Sequence, residues 1–315
     1  MKRGLVSAGL TTLDVVARPI DTLPEFESTV LVEGIALAPA GTAAGAAYVA
    51  AKLGMDAALI GAVGDDLAGR FVRMALDEAG VDTALLKTEV GSLTSTTVLA
   101  VDSAGRRPNF HALGAGGLAR ITEAAMTAVR RAKFLHYAGI GGRGLDKGPG
   151  AGLVKAAREA GAIVTCDLIS PRRSAFEELK TILPNLDYFM PSATEALALT
   201  GLDDLQAAGA AFLALGARGV IIKNGRKGSM LMLDGTTTAL PAFAITPVDT
   251  TSCGDSYCAG FIAALDRGWP PLEAARFATA TAALVAEGLA TLGRLESFDA
   301  TLAAMRQMTP TEETA

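Results

Sequence analysis

The sequence predicts an α/β fold in which helices cover both faces of a mostly parallel sheet. Short apolar runs that suit buried strands alternate with helix-like runs over most of the 315 residues. Half of the residues are hydrophobic and 35 are glycine, a composition typical of a globular α/β protein. Two stretches, 12–36 and 94–113, break this alternation and predict a small second sheet.

The alternation can be followed from the start of the chain. Residues 5–10 predict a strand, 43–53 a helix, 57–63 a buried strand and 68–79 the next helix. The rhythm then continues with strand 134–138, helix 150–160, strand 162–167, helix 174–180, strand 186–190, helices 193–199 and 204–214, and strand 219–223. From Ser256 onward the pattern is helical.

The two irregular stretches have no helices of their own to cover them. Residues 12–36 hold short extended pieces around Pro19 and Pro24, and residues 94–113 predict a hairpin that turns at 102–105. We expect these strands to form a lid over the main sheet. Because no linker or repeat interrupts the chain, residues 1–315 are expected to form a single domain.

Charge and cysteine content narrow the class of protein. A net charge of −5 argues against binding to a nucleic-acid backbone, which needs clustered Lys and Arg. The cysteines lack metal-type spacing, and the start shows no signal-peptide core, so a cytoplasmic protein is expected. Residues 34–51 carry no charge but contain Pro39 and several glycines, which makes them a poor membrane span.

The segment GIGGRG at 139–144 follows a predicted strand and matches a dinucleotide-binding fingerprint. That fingerprint needs a helix to begin within the motif, whereas Gly148 and Pro149 delay any helix until about residue 150. We therefore interpret it as a glycine-rich loop, with a nicotinamide site as the weaker alternative. His111 and His136 lack ligand-type partners in the sequence and are interpreted as structural.

The segment DTTSCGDSYCAG at 249–260 places Asp255 at the start of an apolar helical run. A helix N-terminus carries unpaired N–H groups and partial positive charge, so it attracts anions. Small residues at 252–254 allow a ligand to approach the backbone closely. Two interpretations follow: Asp255 or Thr251 caps the helix, or Asp255 is a base held beside something negative.

This segment resembles the C-terminal signature of the ribokinase-like (PfkB) family of carbohydrate kinases. Residues 40–54, AGTAAGAAYVAAKLG, and 60–71, IGAVGDDLAGRF, resemble the N-terminal signature of that family. The two signatures at this separation are far more specific than either alone, and the resemblance covers nearly the whole chain. It implies a ribokinase-like fold, which is a Rossmann-like α/β/α domain with a β-sheet lid.

The resemblance also implies roles for individual residues. Asp255 would be the base that deprotonates a sugar hydroxyl, and the N–H groups of Ser252, Cys253 and Gly254 would form the anion hole. Sugar hydroxyls would be bound by Asp14 and by the loop from Gly41 to Gly45, which includes Thr42.

The nucleotide and the metal ions would be bound by a further set of residues. In IIKNGRKGS, Gly225 and Gly228 match a nucleotide-binding turn, with Lys223 where the family often has Thr. Ser192 and Glu195 correspond to the N-x-x-E motif, in which the Glu is linked to Mg²⁺ and phosphate positioning. A monovalent cation such as K⁺ would lie by Asp249 and Thr251.

The chain departs from the family pattern at positions that bear on the substrate. The first glycine of the N-terminal signature is Ala40, and its Asn is Gly45. Ser252 replaces the first glycine of the anion hole, and Ser192 replaces the Asn of N-x-x-E. None of these changes removes a charged group that the chemistry requires.

The leading hypothesis is a kinase that uses ATP and Mg²⁺ to phosphorylate a small sugar. A nucleoside kinase would need an aromatic slot in the lid, for which Phe110 is the one candidate noted. A silent sugar-binding protein is disfavoured by the presence of Asp255 and Gly254, and a dehydrogenase is weaker still. An acidic sugar stays open because of Arg106, Arg107, Arg172 and Arg173. The exposed edges of the predicted lid favour a homodimer that forms through it.

Overall fold

The computed structural model describes residues 3–169 and 173–311, in which strands and helices alternate. The strands are β1 (Arg3–Gly9), β2 (Thr12–Arg18), β3 (Gly34–Ala40), β4 (Ala57–Gly64), β5 (Val81–Asp82), β6 (Leu86–Glu89), β7 (Thr96–Ala100), β8 (Asn109–Ala112), β9 (Ala132–Ala138), β10 (Ile163–Cys166), β11 (Tyr188–Phe189), β12 (Gly219–Lys223), β13 (Ser229–Leu233) and β14 (Thr236–Leu240). The helices are α1 (Thr42–Lys52), α2 (Leu67–Glu78), α3 (Glu123–Arg130), α4 (Pro149–Glu159), α5 (Arg173–Ile182), α6 (Ala193–Thr200), α7 (Leu205–Ala214), α8 (Cys253–Asp266), α9 (Pro271–Ala286) and α10 (Phe298–Met305).

The main sheet has the strand order β14-β13-β12-β11-β10-β9-β1-β4-β5, and β6 also pairs with β4. From β12 across to β5 every pairing is parallel, whereas β13 and β14 are added antiparallel at one edge. The carboxyl ends of the parallel strands therefore meet at one edge of the sheet. Ligands of open α/β sheets bind in the crevice outside that edge.

Each face of the main sheet packs against its own group of helices. Neighbouring residues of a strand point to opposite faces, so Leu5 and Phe134 lie in one core while Val6 and Leu135 lie in the other. The core around Leu5 includes side chains of α1, α8, α9 and α10. The core around Val6 includes side chains of α3 to α7. These layers confirm the predicted α/β/α architecture.

A separate small sheet, called the lid below, has the strand order β3-β2-β7-β8. Its strands come from the two stretches that break the alternation, although β3 continues to Ala40, beyond the predicted limit at 36. On the inner face of the lid, Val16 and Leu99 are buried against Ala290. On its outer face, Leu37 and Phe110 are exposed.

Most of the predicted elements match the observed ones to within a few residues, but several were not predicted. These are β5, β6, α3, β13 and β14. The glycine-rich segment 139–144 is a loop, and α4 begins only at Pro149, so no helix starts inside the fingerprint motif. Arg172 lies outside the described residues. No helix in the described part of the chain is long and apolar enough to cross a membrane.

Candidate active site

The N-terminus of α8 lies at the edge of the sheet where the parallel strands end. The side chain of its N-cap residue does not cap the helix. Ser252 is the N-cap residue and makes no side-chain cap hydrogen bond. Thr251 instead donates its hydroxyl proton to Oδ1 of Asp249 at 2.6 Å, and Asp255 lies inside the first turn. The interpretation in which Thr251 or Asp255 is the cap residue is therefore wrong. Helical N–H groups of the first turn have no partner within the helix, so they suit an anion.

Ser252 adopts a backbone conformation that favours glycine. Its φ of 56° and ψ of 10° lie in the left-handed region. For a residue with a side chain this conformation costs about 1–2 kcal/mol, whereas glycine adopts it freely. Serine at this position therefore adopts a turn that glycine would adopt freely, at a modest cost in conformational energy.

Asp249 is fully buried and holds the turn before α8. Its Oδ1 also accepts a hydrogen bond from the Thr251 N–H at 2.8 Å, and its Oδ2 accepts one from the Ala290 N–H at 2.9 Å. A carboxylate with several such donors is well satisfied without a cation. In the described residues the carboxylate of Asp249 thus acts as a structural acceptor that ties α8 to the loop after α9.

Asp255, in the first turn of α8, approaches α1 very closely. A Cβ atom built on Gly45 would lie 3.0 Å from Oδ2 of Asp255. Burial, and to a smaller degree the charge of Asp167, raises the pKa of Asp255 to about 7 against the opposing charge of Lys223. A carboxyl group that titrates near neutrality is suited to act as a base. Glycine at position 45 leaves the space that this carboxylate occupies.

The loop before α1 is shaped by Gly41, which has a φ of 90°. A Cβ atom at this position would lie 2.7 Å from the carbonyl oxygen of Leu10, so the close approach requires glycine. Thr42 is buried, and its hydroxyl donates to the carbonyl of Ala138 at 2.8 Å. The side chain of Thr42 therefore fixes the start of α1, so any contact of residue 42 with a sugar would come from its backbone.

A buried ion pair, not predicted from the sequence, lies directly beside the start of α8. Nζ of Lys223, at the end of β12, lies 2.5 Å from Oδ2 of Asp167, which follows β10. The thiol of Cys258 contacts the same oxygen at 3.4 Å. A Cβ atom on Gly254 would lie 3.3 Å from Nζ of Lys223. Burial alone lowers the pKa of Lys223, but Asp167 and other negative groups raise it overall, so this lysine is charged.

Glu195 lies in the first turn of α6, which follows β11, and is close to the ion pair of Lys223 and Asp167. Ser192 and Glu195 form a capping box: the Ser192 N–H donates to Oε2 of Glu195 at 2.8 Å, and the Glu195 N–H donates to Oγ of Ser192 at 3.3 Å. Residues 192 and 223 also form a parallel bridge. Burial raises the pKa of Glu195, the nearby Asp167 raises it further, and Lys223 lowers it.

One free carboxylate suits Mg²⁺ in a phosphate site, because this ion keeps several waters and takes one or two carboxylates plus phosphate oxygens. In the capping box, Oε2 of Glu195 is engaged while Oε1 accepts no hydrogen bond from the described residues. A protein-only cage is not formed: among residues 3–169 and 173–311 no group of three or more His, Cys, Asp or Glu side chains converges on one point. The residues present thus fit an ion that arrives with phosphate.

The turn from Gly225 to Gly228 follows β12. Both glycines have positive φ angles, 55° and 85°. The Asn224 N–H donates to the carbonyl of Gly228 at 2.8 Å, and the Gly228 N–H donates to the carbonyl of Gly225 at 2.9 Å. A side chain at Gly228 would collide with the carbonyl oxygen of Leu240. The turn that was predicted from the sequence is thus present at a strand end next to Lys223.

Asp14 lies on the inner face of the lid, in the middle of β2. It is buried, and its Oδ1 accepts a hydrogen bond from Thr12 at 3.3 Å. The register pairs Asp14 with Thr97 and Thr97 with His111, whose Nδ1 lies 3.1 Å from the hydroxyl of Thr97. Burial raises the pKa of Asp14, while Thr97 and the charge of His111 lower it. The charge of Asp14 also raises the pKa of Asp255, so the two carboxylates lie close enough to interact electrostatically.

The two histidines have different environments. His111 is exposed on the lid, and its charge lowers the pKa of the nearby Asp14. The cross-strand register, which depends on the turn length, was the signal that would have placed it near Asp14. His136 is fully buried, and its Nδ1 lies 2.9 Å from Oγ1 of Thr165. Burial lowers the pKa of His136 to about 4, so it is a neutral core residue, as expected.

The comparisons with known proteins agree with this fold and site. The model of the "pfkB family carbohydrate kinase" matches residues 2–294, so the chain belongs to that family. An ATP-dependent ribose-1-phosphate kinase of Halopiger xanaduensis is 29% identical over 90% of this chain and 91% of its own length. The structure of Arabidopsis thaliana ribokinase complexed with ribose and ATP has a TM-score of 0.83 at 24% identity, covering 97% of this chain and 99% of its own. A putative ribokinase II of E. coli in complex with ATP and Mg²⁺ has a TM-score of 0.82 at 20% identity, covering 98% and 100%.

Proposed function

We propose that this chain transfers the γ-phosphoryl group of ATP to a hydroxyl group of a small sugar or sugar derivative. One observation carries the proposal: the carboxylate of Asp255, whose pKa burial raises to about 7, lies in the first turn of a helix whose N-cap side chain caps nothing. The carboxylate can accept a proton while the N–H groups beside it bind a phosphoryl group. Membership of the carbohydrate kinase family supports this assignment.

In the proposed reaction Asp255 takes the proton from the attacking sugar hydroxyl. The sugar oxygen forms a bond to the γ-phosphorus, and the bond from that phosphorus to the β–γ bridging oxygen breaks, so the electron pair leaves with ADP. The N–H groups of Ser252, Cys253 and Gly254 hold the phosphoryl oxygens, and the charged Lys223 beside Gly254 favours their negative charge.

The sugar would lie between the lid and the start of α1. Asp14 would accept hydrogen bonds from sugar hydroxyls, because it is buried on the inner face of the lid and lies close enough to Asp255 to raise its pKa. The backbone of the loop from Gly41 to Gly45 would form the opposite wall, while the Thr42 hydroxyl is already used within the protein. Among homologous proteins, a ribokinase has been captured with ribose and ATP, which supports this arrangement.

ATP would bind over the strand ends of β11 and β12. The turn with Gly225 and Gly228 would cover the nucleotide, and Lys223 and Ser192 would lie towards its phosphates. Glu195 would hold Mg²⁺, directly or through water, with its free carboxylate oxygen. When bound, Mg²⁺ would neutralise charge on the phosphates.

A monovalent cation such as K⁺ would lie near the turn formed by Asp249 and Thr251. Its ligands would have to include backbone carbonyls, because the Asp249 carboxylate already accepts three hydrogen bonds from Thr251 and Ala290. The direct contribution of the Asp249 side chain is thus smaller than the sequence suggested.

The nucleoside kinase alternative has less support in the lid. Phe110 pairs with Val98 on the outer face, away from Asp14, so it does not stack on a base in the cleft.

The deciding experiment is Asp255→Asn, assayed by ADP release with a panel of sugars, sugar acids, sugar phosphates and nucleosides. Asn keeps the shape and removes the base, so we expect kcat to fall by about 10²–10⁴-fold with little change in melting temperature. Asp266→Asn at the C-terminal end of the same helix is the control. A fully active, correctly folded Asp255→Asn protein would contradict the proposal.

A further inference from the structure

Arg107 lies in the turn between β7 and β8, at the end of the lid. The hydrogen bonds from the Ala100 N–H to the carbonyl of Pro108, at 3.0 Å, and from the Asp102 N–H to the carbonyl of Arg106, at 2.9 Å, extend the ladder past the ends of both strands. These bonds flank one further pair, Val101 opposite Arg107. Because opposite residues point to the same face, the side chain of Arg107 lies on the face of Val101.

The face of Val101 is the inner face of the lid, and it rests on the loop that supports the anion hole. Val101 is fully buried and packs with Ala290 in one core cluster. The N–H of Ala290 donates to Asp249, which holds the turn before α8, and Oγ of Ser252 lies 3.4 Å from Oγ1 of the adjacent Thr291. The end of the lid that carries Arg107 thus stands directly beside the start of α8.

The charge of Arg107 acts on Cys253, one of the residues whose N–H groups would form the anion hole. Burial raises the pKa of Cys253 to about 12, and the guanidinium of Arg107 opposes that rise. No ion pair engages Arg107 within residues 3–169 and 173–311, and its side chain is exposed. Its neighbour Arg106 differs, because Nε of Arg106 lies 2.5 Å from Oδ2 of Asp102.

We infer that Arg107 binds the phosphoryl group in transfer from the side of the lid, as a second cation opposite Lys223 of the main domain, which is paired with Asp167. The inference rests on the proposed function. A guanidinium forms paired hydrogen bonds with phosphate oxygens, which suits a group that carries charge on several oxygens. Since Asp14 and Arg107 share the inner face of the lid, the sugar contact and the phosphoryl contact belong to one element. Closure of the lid over a sugar would therefore bring the cation to the phosphate.

The test compares Arg107→Ala with Arg106→Ala, using the best sugar from the panel and ATP. We expect Arg107→Ala to lose about 10²–10³-fold in kcat, as removal of one donor from an anion hole does, with the KM for sugar changed less than about twofold. Added guanidinium chloride should restore part of the turnover of Arg107→Ala, and Arg107→Lys should retain more than Arg107→Ala. Arg106→Ala should keep normal kcat.

Three results would overturn the inference: unchanged kcat in Arg107→Ala, an equal loss in Arg106→Ala, or a loss confined to the KM for sugar. Melting temperatures of both variants, which we expect to equal that of the unmodified protein, separate a chemical role from a folding defect. If the unmodified protein phosphorylates nothing in the panel, the proposed function fails. If it is active and Arg107→Ala is equally active, the inference alone fails.

Discussion

Burial and, after it, the charges of Asp167 and Lys223 determine the pKa of Asp255, and the pH dependence of the reaction should show the effect of the two charges. The base acts only when ionised, so kcat/KM should fall about tenfold per pH unit below the pKa of Asp255, which is about 7. Kcat/KM reports the free enzyme, which is the state described here.

Replacing Asp167 with Asn removes a negative charge that raises this pKa. One neighbouring charge shifts a carboxyl pKa by about 1–3 units, so we expect the acidic limb of the profile to move down by about 1–2 pH units. At pH 6 a base of pKa about 7 is ionised in about a tenth of the molecules, and the variant should retain most of its plateau activity there. Lys223→Met removes the opposing positive charge and should move the limb upward.

The assay is kcat/KM for the sugar between about pH 5 and pH 9, normalised to the plateau of each variant. Loss of one partner of a buried ion pair is destabilising. Where a single variant unfolds, the double variant Asp167→Asn with Lys223→Met is assayed in its place. Asp187→Asn, which breaks the distant pair with Arg158 at 2.7 Å, is the matched control and should leave the limb in place. Shifts of both site variants in the same direction, or no shift in either, would refute this account of the charges.

The remaining predictions concern the lid. Asp14→Ala should raise the KM for sugar about 10- to 150-fold, since a charged hydrogen-bond partner contributes about 1.5–3 kcal/mol, while the KM for ATP stays unchanged. Asp21→Ala, on an exposed lid residue that accepts hydrogen bonds from Ser103, is the control, and an unaltered sugar KM in Asp14→Ala would exclude Asp14 from the site. The outer face, where Leu37 is 50% and Phe110 60% exposed, should be covered in a homodimer. Sedimentation should find a dimer that Leu37→Asp dissociates, and a protein that is strictly monomeric at high concentration would contradict this.

Local patterns predicted the parts of the fold that local sequence determines. Buried strands such as β4 are continuous apolar runs, and α8 follows a segment of small residues that marks its start. The hairpin of β13 and β14 was missed although Asp234-Gly235 is a strong turn signal between two strand-like runs. Strands β5 and β6 are too short and too polar to show a period.

Contacts between distant parts of the chain could not be predicted in the same way. Asp167 and Lys223 are 56 residues apart, and only the sheet order places the ends of their strands together. His111 and Arg107 lie on the inner face of the lid because of the register of β7 and β8, and a shift by one residue would turn both outward.

The charges around Asp255 suggest why one cationic side chain, Arg107, lies on the lid while the other, Lys223, lies in the main domain. Asp14, Asp167 and burial all disfavour the ionised form of Asp255, and Lys223 is already paired with Asp167. With a pKa of about 7, about half of the Asp255 carboxyl groups are protonated at neutral pH, and the protonated form cannot activate water for attack on ATP. If the lid brings Arg107 to this site when a sugar is bound, the added positive charge lowers the pKa of Asp255 and ionises the base at that moment. One movement would then supply the charge that binds the phosphoryl group and the carboxylate that accepts the proton, so transfer to a sugar would be favoured over hydrolysis of ATP.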